Sequence, residues 1–192
     1  MKIQNLIVIA AIACLLVGTS GAAMADGITC TDNPGGTGTS SPVINGETVD
    51  GDVIVLGNCI ITASVINGNI IVDNSDDPLA RFVLNVSIVG GQVKVDGGSA
   101  AIIDSVVTSE KKRAILIKSV DGDTIVSGTT VQSTGAETAS IVVRADLADS
   151  AKVLLYANTV SNGSIKCVDK LNIQTYAQGN TVPRGEISCF GQ

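Results

Sequence analysis

The last third of the chain contains two copies of one pattern. Residues 158–167 read NTVSNGSIKC and residues 180–189 read NTVPRGEISC, an offset of 22 residues (180 minus 158). The copies share an Asn-Thr-Val start, a central glycine, an isoleucine and a final cysteine. A repeat of this length is typical of solenoids, in which a unit buries its apolar face only by stacking on its neighbours. The chain is therefore expected to wind in successive coils.

Weaker copies of the pattern precede these two. Each has a β-branched residue, a turn ending in glycine and then alternating apolar residues, at 48–55, 65–72, 88–95 and 119–126. The template glycines are Gly51, Gly68, Gly91, Gly122, Gly163 and Gly185. Aromatic residues make up only 2% of the chain, so the apolar material is mostly Val, Ile, Leu and Ala, which favours strands. This spacing predicts an all-β solenoid of about six or seven coils, each with two or three short strands.

Two alternatives compete locally with this interpretation. Asn-Gly pairs at 45–46, 67–68 and 162–163 would also suit the hairpins of an antiparallel sandwich. Stacked coils are favoured because the copies repeat as whole units in register. After residue 42 only the segment 145–152 is a candidate for a short helix, and an irregular turn suits it equally well.

The N-terminus predicts export. Lys2 precedes an apolar run, 6–17, and small residues end it at Ala23-Met24-Ala25, the pattern of a secretory signal peptide covering residues 1–25. A lipoprotein site at Cys14 is the less favoured alternative, because the residue three positions earlier is Ala11 rather than Leu. Residues 26–42, rich in Gly, Ser and Thr, are expected to form a flexible leader, and 43–192 the solenoid domain. The mature protein is expected to be secreted, periplasmic or on the cell surface.

Charge and cysteine usage narrow the class of protein further. Loss of Lys2 with the signal takes the formal net charge from −6 to −7, which argues against nucleic acid and anionic membrane surfaces as partners. The apolar run at the N-terminus is too short to favour a membrane span, and none is expected in the mature chain. Four cysteines would remain, and an even number in an exported protein predicts two disulfides.

The repeat selects one cysteine pairing among the three that are possible. Cys167 and Cys189 occupy the same position of consecutive repeats. Their Cα atoms should therefore lie about 5 Å apart, within the range of a disulfide. This bond would tie the last coil to the one before it. Cys30 is then expected to pair with Cys59 and fasten the leader to the first coil.

The turns at Asn158-Thr159-Val160 and at Gly179-Asn180-Thr181-Val182 resemble those of right-handed parallel β-helix proteins of the pectate-lyase-like superfamily. The resemblance extends over about 43–190 and concerns the fold. It implies a single-stranded right-handed parallel β-helix in which asparagines at a recurrent bend stack from coil to coil. The Val-x-Gly-Asp-Val-x-Val segments are also similar to bactofilins, which form filaments in the cytoplasm, so the predicted signal departs from that family.

The chain lacks the residues that most catalytic mechanisms require. The sequence has no histidine, which excludes Ser-His-Asp and Cys-His catalysis, His-ligated zinc and the third motif of polygalacturonase-type β-helices. The Asn-Thr-Asp motif of those enzymes reads Asn158-Thr159-Val160 here, and the pair Asp76-Asp77 is followed by Pro78. No catalytic residue and no cofactor is therefore assigned.

Pectate-lyase chemistry is the alternative that the sequence leaves open, since it needs only carboxylates that hold Ca²⁺ and a nearby Arg or Lys. An acidic turn lies at 73–78 with Asp73, Asp76 and Asp77, and a basic turn at 109–113 with Lys111, Lys112 and Arg113. Both are interpreted first as solvated loops. The pairs Asp50/Asp52 and Asp121/Asp123 are likewise interpreted as turns, and Tyr156 and Tyr176 as a stacked pair on neighbouring coils rather than a sugar platform.

The sequence thus predicts an exported, disulfide-linked β-helix without catalytic activity, a structural, surface or adhesion-type protein. Its expected partners are further copies of itself, stacked end to end through unpaired strand edges, or a surface polysaccharide. The alternative is a small Ca²⁺-dependent polysaccharide lyase or a carbohydrate-binding module. A bactofilin-like polymer adapted to export is a third, minor hypothesis.

Overall fold

Parallel strands make up the whole of the secondary structure that is described. The computed structural model describes residues 23–24, 27–31, 41–77, 79–134, 139–147, 151–168 and 174–189. In these ranges every pair of strands is parallel, so the Asn-Gly pairs are bends between sheets and the sandwich alternative is wrong. The same ranges contain no helix long and apolar enough to cross a bilayer.

The strands form three parallel sheets, which the chain visits in turn. Sheet A contains β1 (Ala23–Met24), β4 (Thr48–Val49), β7 (Val65–Ile66), β10 (Ile88–Val89), β13 (Val106–Ser109), β16 (Thr130–Ser133) and β19 (Thr159–Asn162). Sheet B contains β2 (Ile28–Thr31), β5 (Val53–Leu56), β8 (Ile70–Asn74), β11 (Val93–Gly97), β14 (Ile115–Val120), β17 (Ala139–Leu147), β20 (Ser164–Val168) and β22 (Ile187–Ser188). Sheet C contains β3 (Val43–Asn45), β6 (Cys59–Thr62), β9 (Arg81–Asn85), β12 (Ser99–Ile103), β15 (Thr124–Ser127), β18 (Lys152–Tyr156) and β21 (Gln174–Gln178).

One strand from each sheet makes a coil, and the coils stack into a parallel β-helix. Coil 1 is β1–β3, coil 2 is β4–β6, and so on to coil 7, which is β19–β21. An eighth coil begins with a bridge between Thr181 and Thr159 and continues into β22. The predicted solenoid is confirmed, with one more partial coil than the spacing suggested.

The core is made of apolar columns that run along the solenoid axis. Alternation along each strand points every second residue inwards, and the parallel register places equivalent residues on one another. One column in sheet B is fully buried: Val53, Ile70, Val93, Ile115, Ile141 and Ile165. Burying each such side chain contributes about 1.5–3 kcal/mol, so the columns supply most of the stabilisation of the stack.

The bend between sheet C and sheet A has the same backbone conformation in coil after coil, and we call it the ladder bend. It starts with a residue at positive φ: Gly46, Ala63, Val86, Asp104, Gly128, Ala157 or Gly179. The next residue is polar: Glu47, Ser64, Ser87, Ser105, Thr129, Asn158 or Asn180. A left-handed residue turns the chain sharply with no insertion, which keeps successive coils in register.

Side-chain hydrogen bonds link the ladder bends of successive coils. The backbone N–H of Ser64 donates to Oγ of Ser87 at 3.2 Å, and that of Ser87 donates to Oγ of Ser105 at 3.2 Å. Farther along, the N–H of Asn158 donates to Oδ1 of Asn180 at 3.0 Å, and Nδ2 of Asn158 donates to the same oxygen at 2.9 Å. The asparagine stacking that the family resemblance implied is therefore present between coils 7 and 8.

The predicted leader contains a strand. Ile28–Thr31 pairs with Val53–Leu56, and Cys30 is buried. Sequence reasoning overlooked this strand, because the alternation covers only four residues within the Gly- and Thr-rich segment 26–42. Two inward-facing residues are enough for such a strand to pair with a sheet edge. Ala23–Met24 pairs with Thr48–Val49 and lies within the predicted signal peptide, so cleavage after Ala25 would leave Thr48–Val49 as the first strand of sheet A.

Two further predictions need correction. Gly122 does not share the position of Gly51, Gly68 and Gly91: it lies between sheets B and C, where its N–H donates to the carbonyl of Gly98 at 3.1 Å. The misplacement arose because similar Val-Asp-Gly-Asp turns serve two different bends. The helix candidate at 145–152 is wrong where it is described, since β17 includes 145–147 and β18 begins at Lys152.

Candidate functional site

The acidic and basic turns lie at opposite edges of sheet B. The acidic turn, 73–78, joins β8 to β9 in coil 3, and the basic turn, 109–113, joins β13 to β14 in coil 5. Because all strands of sheet B are parallel, the two kinds of turn are separated by a strand length of about 15–20 Å. The fold does not bring these carboxylates and cations together in one site.

Hydrogen bonds of the acidic turn shape its own backbone. The Leu79 N–H donates to Oδ1 of Asp77 at 3.1 Å, and Oγ of Ser75 donates to Oδ1 of Asp73 at 3.1 Å. Asp76 is exposed. Asp, Asn and Ser side chains that cap nearby N–H and O–H groups are the usual chemistry of turns.

The basic turn is hydrogen-bonded to coils on both sides of it. Nζ of Lys111 donates to Oδ1 of Asn69 at 3.2 Å, two coils away, and the N–H of Lys111 donates to Oγ of Ser109 at 3.1 Å. The carbonyl of Lys111 accepts a hydrogen bond from Oγ of Ser133 in coil 6. Nε2 of Gln92 donates to the carbonyl of Arg113 at 2.8 Å. These contacts fix the position of the turn, which is the bend between sheets A and B of coil 5.

The two Asp-Gly-Asp turns also have structural roles. Oδ1 of Asp50 accepts Nδ2 of Asn67 at 2.6 Å, and Oδ2 of Asp121 accepts the N–H of Gly98 at 3.1 Å. Oδ1 of Asp123 accepts the N–H of Lys152 at 3.1 Å. Within the described ranges, no group of three or more His, Cys, Asp or Glu residues is placed to hold a metal ion.

A second polar ladder follows the bend between sheets A and B. Oδ1 of Asp52 accepts the N–H of Asn69 at 2.7 Å and its Nδ2 at 2.9 Å, and Oδ1 of Asn69 accepts the N–H of Gln92 at 3.0 Å. The hydrogen bond from the Asn69 backbone is the largest cause that lowers the pKa of Asp52, and the bond from the Asn69 side chain adds to it.

One ion-paired carboxylate lies on the outer face of sheet B. Asp96 lies 2.9 Å from Nζ of Lys118 and 3.2 Å from Nζ of Lys94. Desolvation raises the pKa of Asp96, but the hydrogen bonds from the two lysines together outweigh it, so the pKa is below its usual value. The cluster therefore keeps the carboxylate ionised, which suits an ion-paired surface and does not suit a general acid.

The described side chains of Tyr156 and Phe82 lie in different surroundings. Tyr156 and Tyr176 lie on neighbouring coils, where the backbone pairs Tyr156 with Gln178 and Tyr176 with Leu154, so the two tyrosines are offset by two positions. Their stacking stays a prediction. The Tyr156 side chain is 55% exposed, whereas Phe82 is fully buried in the core. Phe190 lies outside the described residues.

The two disulfides join consecutive coils. Cys167 in β20 is bonded to Cys189 just after β22, with Cα atoms 4.8 Å apart. Cys30 in β2 is bonded to Cys59 in β6, with Cα atoms 5.8 Å apart. Each bond links the coil nearest one end of the stack to the next. Two such bonds are typical of proteins that mature in an oxidising compartment.

The outer face of sheet C has a groove that sequence reasoning missed. Its cavity volume is about 530 Å³, and it lies over the small residues Ser99 and Ala101 of coil 4. Coil 3 and coil 5 form its two sides, and its lining includes Leu79, Arg81, Val83, Asp121, Gly122, Asp123 and Ile125. The sequence contains the apolar residues that form this row. Their alignment could not be predicted, because the coils differ in length and the register follows from strand pairing between them.

That outward row runs along six of the seven strands of sheet C. Strand pairing aligns the residues at one outer position: Val43, Ile60, Val83, Ala101, Ile125 and Leu154. Val43 is 57% exposed and Leu79, beside the row, is 85% exposed. The equivalent row on sheet B is interrupted by Lys94 and Lys166. We call the sheet C surface, with its apolar row and groove, the C face.

Comparison with known proteins finds no relative of this chain. No protein family, no curated protein and no solved structure matches the chain. The class that the fold defines is therefore the parallel β-helix, and the superfamily and the right-handed sense stay predictions.

Proposed function

We propose that the protein is an exported, non-catalytic structural or surface protein of the adhesion type. Its acidic solenoid is braced by core columns and polar ladders and is fastened near both ends by disulfides. Such a stack is quasi-one-dimensional, so it offers a long rigid surface rather than a closed cleft.

One observation supports this proposal most strongly. The charged residues that could serve a lyase are distributed between two opposite edges of sheet B. Several of them, such as Lys111, Asp77 and Asp123, make hydrogen bonds that stabilise the bends of the chain. A polysaccharide lyase needs its Ca²⁺-binding carboxylates and its base next to the same sugar. The arrangement favours a structural role for these turns.

A direct assay tests the proposal against the lyase alternative. The purified, disulfide-bonded protein is incubated with polyuronates, with Ca²⁺ or with a chelator, and unsaturated products are followed by absorbance. We expect the wild type, Lys112→Ala and Arg113→Ala to give the same background as a heat-denatured sample. Ca²⁺-dependent product that falls in either variant would overturn the proposal.

Export is tested separately. N-terminal sequencing of protein recovered from the periplasm or medium is expected to begin at Asp26, as the predicted signal requires. A chain that keeps residues 1–25 and stays in the cytoplasm would contradict the surface role while leaving the fold unchanged.

A further inference from the structure

We propose that the C face is the contact surface of a side-by-side, antiparallel homodimer. The six aligned positions of the apolar row, at a spacing of about 4.8 Å, make a strip about 24 Å long. Val43 is exposed and the other five residues of the row are partly exposed. A continuous apolar strip that solvent reaches along its whole length usually marks a place of contact. The flanking charges identify a second copy of this chain as the occupant.

Two charges on the C face, those of Arg81 and Asp123, are complementary to each other across a two-fold axis. Strand pairing aligns Arg81 of coil 3 with Ser99 of coil 4. Ala101 pairs with Ile125 of coil 5, and continuing that register by two residues, to just before β15, brings Asp123 to the same line. Arg81 and Asp123 are both exposed, and the guanidinium of Arg81 forms no ion pair with any residue that the structure describes. One cation and one anion thus lie symmetrically on either side of a small neutral residue.

A two-fold axis parallel to the strands of coil 4 would bring the cation of each copy opposite the anion of the other. Such an axis keeps each position along the strand and reverses the order of the coils, so coil 3 of one copy faces coil 5 of the other. Arg81 then faces the partner's Asp123, Val83 faces the partner's Ile125, and Ala101 faces the partner's Ala101. An axis parallel to the solenoid would place Arg81 opposite Asn85 instead, with no charge partner.

The C-terminal end of the solenoid is less suited to association than the C face. In the eighth coil, Pro183, Arg184 and Glu186 are all exposed. Proline and charged residues at a strand edge discourage the addition of another strand, because proline lacks an N–H and charges resist desolvation. Self-association is therefore assigned to the side of the stack rather than to the predicted end-to-end contact.

The footprint sets the expected affinity. A strip this size lies near the small end of specific interfaces, which bury about 1,200 Å² or more in total. We expect a dimer with a dissociation constant of roughly 1–100 μM. Sedimentation velocity of the full disulfide-bonded chain over a matching concentration range should show a reversible monomer–dimer equilibrium.

Charge reversal with rescue tests the geometry. Arg81→Asp and Asp123→Arg each place like charges opposite one another and should weaken the dimer at least about tenfold. The double variant should restore the dissociation constant to within about threefold of the wild type. Lys166→Asp, on the outer face of sheet B, is the matched control and should leave it unchanged. Circular dichroism and urea midpoints check that each variant folds.

A second variant avoids the hydrogen bond that Asp123 makes to Lys152. Ala101→Lys places two lysines face to face at the proposed axis and should abolish the dimer, and Ala101→Cys should be joined to itself by a short bifunctional maleimide. A monomer at every concentration would overturn the inference. So would a double variant no stronger than the single ones, or larger oligomers that Ala101→Lys leaves intact, which would indicate end-to-end contact. The inference goes beyond the proposed function, since an inert monomer would overturn only the dimer.

Discussion

Coils of different length share the same ladder bend, whereas the two bends that flank sheet B differ in length from coil to coil. At the ladder bend, partners in successive coils are 17 residues apart between Glu47 and Ser64, 23 between Ser64 and Ser87, and 29 between Thr129 and Asn158. The bend itself stays one left-handed residue followed by one polar residue. The extra residues lie in the bend between sheets A and B (the A–B bend) and in the bend between sheets B and C (the B–C bend). The basic turn is an example of the first and the acidic turn of the second. Register is kept at one corner, and variation is tolerated at the other two.

The largest expected effect comes from breaking the ladder at a buried asparagine. Asn158 is fully buried, its Oδ1 accepts the N–H of Thr129 at 3.0 Å, and its Nδ2 donates to the carbonyl of Val126 at 2.8 Å. Asn158→Ala leaves these groups buried without partners and should cost about 3 kcal/mol of unfolding free energy. Urea unfolding measures it.

The matched control lies at the A–B bend. Asn67 is exposed and its Nδ2 donates to Asp50 at 2.6 Å, so Asn67→Ala should cost less than about 1 kcal/mol. Equal losses for the two variants would mean that the ladder bend does not differ energetically from the others.

A smaller effect, of opposite sign, is expected where the ladder bend is strained. Val86 has φ of 47° and is 44% exposed, a conformation that costs a β-branched residue roughly 1–2 kcal/mol. Val86→Gly should therefore raise the unfolding free energy by about 1 kcal/mol, because relief of the strain outweighs the loss of chain entropy. Thermal and urea unfolding measure the change.

Gly128 provides the reverse substitution. It has φ of 61°, and an added Cβ would meet the Asp104 carboxylate. Gly128→Ala should destabilise the protein. If neither variant changes stability in the expected direction, the shared left-handed conformation is not what sets the bend.

Acid should weaken the bend between sheets A and B. The pKa of Asp52 is below its usual 3.8, chiefly through the Asn69 N–H, so the stabilisation is present above that value and is lost as pH falls through the lower, folded-state pKa. Urea midpoints at acidic and near-neutral pH should show a smaller drop for Asp52→Asn than for the wild type. A drop of the same size in both would place the acid sensitivity elsewhere, for example at Asp96.

The smallest effect is expected in the acidic turn. Asp76 is exposed, and it lies where coil 3 accommodates extra residues. Asp76→Ala should change the unfolding free energy by less than about 0.5 kcal/mol. A large loss would show that this turn also sets the stacking, and would remove the contrast between the corners.

Prediction from sequence succeeded where the signal was local and periodic. The copies at 158–167 and 180–189 place Asn158 on Asn180 and Cys167 beside Cys189, as the structure does. It failed at Gly122, whose Asp-Gly-Asp surroundings resemble those of Gly51 although the two lie at different bends. It also overlooked Ile28–Thr31, since a four-residue edge strand has too little periodicity to stand out.

The sequence by itself determined the alternation of inward Val and Ile with outward residues, the glycine-marked bends and the repeat, because each depends on neighbours along the chain. Only the tertiary structure decided which residues share a corner or a face. Coils of unequal length shift sequence offsets by several residues, so the row from Val43 to Leu154 and the placement of Arg81 and Asp123 follow from backbone pairing between coils. The separation of the acidic and basic turns has the same origin, since parallel strands send each kind of bend to its own edge.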